Sequence, residues 1–155
     1  MLERLKSLFR QPQLSGPPEN MRTFGPSDHP ITESGSSPDE GGWRIEARAA
    51  GSVRLFEVPE PGVEQCLLTY RAELKTAEGE GGAYLEMWCR FPGAGEFFSK
   101  GIHQKATGTT GWASHEVPFR LKAGQRPDLI RLNVAFDGPG TLWLRKVELQ
   151  RTRLR

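Results

Sequence analysis

Residues 83–91 read AYLEMWCRF, and the way their side chains divide decides the fold. Leu85, Met87, Cys89 and Phe91 share one alternating phase and carry no charge. Tyr84, Glu86, Trp88 and Arg90 share the other. Successive side chains of a strand point to opposite faces, so the run reads as a strand with one face in a core. Glu86 and Arg90 would be costly to bury unpaired, which assigns their face to the outside. Trp88 then projects from the outer face of a sheet, between an acid and a base.

The same period recurs on both sides of this stretch. Strands are predicted near 43–49, 53–58, 66–76, 113–121, 128–136 and 141–149, separated by turns such as PEPG (59–62), PGAG (92–95) and DGPG (137–140). The core sets are Cys66, Leu68, Tyr70, Ala72 and Leu74; Val117, Phe119 and Leu121; and Ile130, Leu132, Val134 and Phe136. Leu142, Leu144, Val147 and Leu149 share a face only if a bulge falls at Arg145–Lys146. Phe56 joins the core by phase. Trp43, Trp112 and Trp143 sit at strand starts or in the sandwich and read as structural. Many short strands at this spacing predict an all-β protein, an antiparallel β-sandwich over residues 43–150.

The chain ahead of it differs. MLERLKSLFR (1–10) places Leu2, Leu5, Leu8 and Phe9 on one helical face, predicting a short amphipathic helix. Such a helix can dock on a partner, on a membrane surface or on its own domain. Residues 11–42 are rich in Pro, Gly, Ser and acids without apolar period, and read as a disordered linker. Residues 151–155 read as a basic tail.

Composition sets wider limits. The 155 residues suit one domain, and 18 Gly with 12 Pro suit a turn-rich β protein. The net charge of +2 gives no reason to expect a nucleic-acid partner. Cys66 and Cys89 lack zinc spacing and read as buried thiols, with a bridge between neighbouring strands left open. The N-terminus lacks the apolar region of a secretory signal, so a cytoplasmic location is expected.

GTTGWASHEVPFRL (108–121) and PDLIRLNVAFDGPGTLWLRKVEL (127–149) resemble the closing strands of galactose-binding-domain-like jelly rolls, the group that includes many carbohydrate-binding modules. Trp112, Ile130 to Phe136, Gly138, Gly140, Trp143, Val147 and Leu149 carry the resemblance. It implies that strands 83–91 and 128–136 share the concave sheet. The outward residues Tyr84, Glu86, Trp88, Arg90, Arg131 and Asn133 would then line one trough. A second family site at the loop edge would involve Phe97, Phe98 and His103. The family's structural calcium is not expected, because Arg145 and Lys146 stand where an acid would help hold it.

Two functional readings follow. In the first, Trp88 and Tyr84 stack on a saccharide or similar polyol while Glu86, Arg90, Arg131 and Asn133 pair with hydroxyls. In the second, the same aromatic and Arg face, with the N-terminal helix, is a protein-interaction or oligomerisation surface. Catalysis is not expected, and no cofactor is implied. Glu73 and Glu86 are the only carboxylate pair worth drawing, His29, His103 and His115 lack ligand spacing, and Ser99 and Ser114 lack a nucleophile elbow.

Overall fold

The computed structural model describes residues 13–155. Among them every regular element is a strand: β1 (Leu14–Phe24), β2 (Ser36–Asp39), β3 (Gly42–Ala47), β4 (Gly51–Pro59), β5 (Cys66–Ala77), β6 (Gly79–Phe91), β7 (Gly95–Lys100), β8 (Ala106–Gly108), β9 (Ala113–Leu121), β10 (Leu129–Phe136) and β11 (Gly140–Leu154). The predicted helix over residues 1–10 lies outside the described residues.

Two antiparallel sheets face each other. The first runs β2-β3-β11-β5-β9, with β1 along the second half of β11. The second runs β4-β10-β6-β7, with β8 beside the start of β6. The predicted parity holds where it was sharpest. Leu85, Met87 and Cys89 are sealed inside, as are Leu68, Tyr70, Leu74, Ile130, Leu132 and Val134. Each large apolar side chain so buried contributes about 1.5–3 kcal/mol. Cys66 and Cys89 are free and buried, and burial pushes the Cys89 thiol up to about 12. The bulge at Arg145–Lys146 is present: the β11–β5 register shifts between Arg145 and Glu148, and Lys146 takes φ 53°.

Of the predicted disordered linker 11–42, the described residues from 13 onward carry β1 and β2 instead. β1 pairs with the far end of the chain, Leu14 beside Leu154 and Phe24 beside Val147. Phe24 is buried and stacks on Phe56 with ring centroids 4.3 Å apart. The sequence hides this strand because its register shifts between Ser15 and Glu19, where Pro17 and Pro18 stand. Prolines are tolerated at an irregular edge and erase the usual signal. Nor are residues 151–155 a solvated tail. β11 runs to Leu154, with Thr152 and Leu154 buried. The sandwich therefore begins well before residue 43 and ends past residue 150. β7 and β8 also occupy chain read as loop.

β4 contains the irregularity that matters most for the outer surface. In SVRLFEVP (52–59) no strict alternation puts Leu55 and Phe56 inside together. The β10–β4 register shifts between Leu132 and Asn133, so that Leu132 pairs Phe56 and Asn133 pairs Arg54. The extra residue is Leu55, and both Leu55 and Phe56 are buried. A bulge of this kind restores the alternation one residue late. Ser52 and Arg54 are thereby turned to the outer face.

Candidate functional site

β10 and β6 are direct neighbours, with Arg131 beside Trp88 and Asn133 beside Glu86. β7 lies on the other side of β6 and sets Phe98 beside Trp88. The outward residues of β4, β10, β6 and β7 therefore form rows across four strands, about 14 Å at the usual strand spacing. Ser52, Arg54, Glu86, Trp88, Glu96, Arg131 and Asn133 enclose a hollow of about 340 Å³ there.

Glu86 was expected to be solvent-facing; it is outward in phase but buried, 1% exposed, at the floor of this hollow. Its neighbours make the burial affordable. The indole Nε1 of Trp88 donates to Glu86 Oε1 at 2.8 Å, and Asn133 Nδ2 donates to the same oxygen at 3.1 Å. Ser52 Oγ donates to Oε2 at 3.0 Å, and Lys100 Nζ stands 3.8 Å away. Hydrogen bonds to a carboxylate are roughly twice as strong as neutral ones, which fixes all three donors in place.

That arrangement leaves an acceptor without a donor. Asn133 is 4% exposed, and its Oδ1 is buried with no hydrogen-bond partner. Turning the amide over would set this oxygen against the Glu86 carboxylate, so Glu86 dictates the orientation. Arg131 donates from one guanidinium nitrogen to Glu96 Oε1 at 2.6 Å. Its Nε is buried without a hydrogen bond, 3.8 Å from Glu57 Oε1. Below the floor, Tyr70 of the opposite sheet donates its hydroxyl to the Asn133 carbonyl at 3.2 Å. Burial, and secondarily the Glu86 charge, raise the pKa of that phenol.

The remaining candidates separate. Tyr84 is outward but buried, with Lys105 Nζ 5.6 Å from its ring centre, and it does not line the hollow. Arg90 also lies outside it, held by Asp128 through bonds of 2.9 and 3.3 Å. The loop-edge set splits three ways. Phe98 packs against Trp88 with centroids 5.0 Å apart and extends the aromatic surface. Phe97 faces a separate hollow of about 470 Å³ at the end of the sandwich, with Phe91 and Phe119. His103 is exposed in the turn after β7 and lines neither. Glu73 is on the other sheet, bound to Arg145 and Lys146, so it makes no pair with Glu86.

Sequence reasoning missed Ser52, Arg54 and Glu96. Only the bulge at Leu55 turns the first two outward, and Glu96 stands on an unrecognised strand. The other three indoles lie at or near strand starts, as expected: Trp43 is buried, while Trp143 on β11 and Trp112 just before β9 are partly exposed at the first sheet. The phase of Leu142 and Leu144 could have shown this for Trp143. Arg145 Cζ lies 4.0 Å from the Trp112 ring centre, and Lys75 Nζ lies 5.3 and 4.9 Å from the Trp112 and Trp143 ring centres. Trp143 Nε1 donates to Asp39 at 3.0 Å.

No family model matches the sequence, and no curated protein resembles it in sequence. Solved structures do resemble it in shape. The CBM22-1 xylan-binding domain from Paenibacillus barcinonensis Xyn10C superposes with a TM-score of 0.61 at 9% identity, over 91% of this chain and 99% of that one. The CBM22-1 and GH10 modules of Clostridium thermocellum endo-1,4-beta-D-xylanase 10B, complexed with xylohexaose, give 0.50 at 10% identity, over 89% of this chain but 26% of that one. The two-sheet sandwich described above is thus similar in fold to the CBM22-1 xylan-binding domain.

Proposed function

We propose that this protein is a non-catalytic binding module that takes a carbohydrate in the hollow beside Trp88. The observation that carries the reading is an open hollow of about 340 Å³ walled by the partly exposed indole of Trp88, with Phe98 packed beside that ring. The indole offers a flat apolar face for the C–H side of a sugar ring. Ser52, Arg54 and Arg131 ring it with polar groups whose positions are fixed by the sheet. A surface four strands wide suits a short oligosaccharide better than a single ring. The likeness in fold to a xylan-binding domain supports a saccharide as the ligand.

The test is a calorimetric titration of the full chain with xylohexaose and a panel of other soluble oligosaccharides. At least one should bind, and Trp88→Ala should weaken it more than tenfold with the melting temperature nearly unchanged. Undiminished binding by Trp88→Ala would remove the hollow from consideration.

A further inference from the structure

The ionic side chains of the hollow are not equally engaged. Glu86 accepts three hydrogen bonds, and Glu96 is bound by Arg131. Arg131 is shared between Glu96 and Glu57. Arg54 differs. Its side chain makes no hydrogen bond or ion pair among the described residues, although it lines the hollow and is solvent-exposed. It stands across the strand pair from Asn133, the residue with the unpaired acceptor. An unpaired, solvent-exposed guanidinium therefore lines a hollow whose other charged side chains already have partners.

We propose that the hollow selects saccharides bearing a carboxylate, with Arg54 as the counter-charge. The proposal rests on the saccharide reading of the same hollow and names the class of sugar. A uronic acid carries a planar, two-oxygen group at the ring's edge, which matches the fork of a guanidinium. Its C–H face lies on Trp88. The acids of the hollow are held by partners of their own, Glu86 by three donors with Lys100 Nζ 3.8 Å away and Glu96 by Arg131. Arg54 reaches this position only through the Leu55 bulge, so the backbone irregularity and the charge preference are one feature.

The experiment compares a glucuronic-acid-substituted xylo-oligosaccharide with its methyl ester, which keeps the sugar and removes the charge. The acid should bind about tenfold tighter than the ester, a difference of about 1.4 kcal/mol. Raising the salt concentration should narrow the ratio. Arg54→Ala should bring acid and ester together, whereas Arg54→Lys should keep some of the difference. Equal binding of acid and ester by the unaltered chain overturns the charge preference while leaving the saccharide reading intact. An unchanged ratio in Arg54→Ala overturns the role of Arg54. Failure of acid, ester and every neutral oligosaccharide to bind overturns the saccharide reading itself.

Discussion

The two outer faces of the sandwich carry the same chemistry to different ends. On the first sheet Trp112 and Trp143 stand among Arg44, Lys75 and Arg145; on the second Trp88 stands among Arg54, Lys100 and Arg131. The difference lies in what is already satisfied. On the first sheet the cations lie over the indole rings, and acids hold the cations in turn, Glu40 on Lys75, Glu46 on Arg44 and Glu73 on Arg145. That face is closed upon itself. On the second sheet the polar groups are pulled down onto one buried carboxylate, which opens a hollow and leaves an acceptor unpaired. Aromatic and basic composition is thus a poor guide to a site; the distinguishing sign is an open ring in a hollow that also holds a cation unpaired among the described residues.

The largest expected effect strikes the second face. Glu86→Ala strips three donors of their acceptor and should cost about 3 kcal/mol, read as a lower urea midpoint, together with any saccharide binding. A loss below about 1 kcal/mol would mean that Glu86 does not organise the hollow. Trp143→Ala sharpens the contrast. It should cost about 1 kcal/mol through lost contact with Lys75 and Arg44, and leave binding at the Trp88 hollow unchanged. If it weakens binding as Trp88→Ala does, the two faces are not distinct. The smallest effect concerns His115 on β9, whose Nδ1 is buried and unpaired. Burial holds its pKa below the ordinary 6.5, partly offset by a hydrogen bond involving Gln104. The unfolded chain therefore takes up the proton first. Stability is full above pH 6.5 and falls as the pH drops toward the folded pKa. His115→Gln should flatten that region of a melting-temperature profile.

The sequence made the two best-alternating strands of the second sheet legible. AYLEMWCRF and LIRLNVAF each put charged or polar residues on one face and apolar ones on the other, so parity followed from desolvation cost alone. That those strands share a sheet came from a resemblance; their direct pairing and register did not. Glu86 looked exposed because two of its three donors arrive from residues 52 and 133, far along the chain. Arg54 was invisible for a different reason: SVRLFEVP fits two opposed phases, and only the partner strand decides which residue becomes the bulge. β1 was lost because prolines and scattered polar residues mimic a linker, while its stability comes from β11.

The pairing of β1 with β11 also says how the molecule would respond to force. Leu14 lies beside Leu154, and Arg155 N–H donates to the Gln13 carbonyl at 3.0 Å. Tension applied at these two points pulls across the ladder at its very end, so its rungs would break in succession instead of resisting together. β1 would peel away first, and the second sheet, which shares no rung with it, would keep its shape under load.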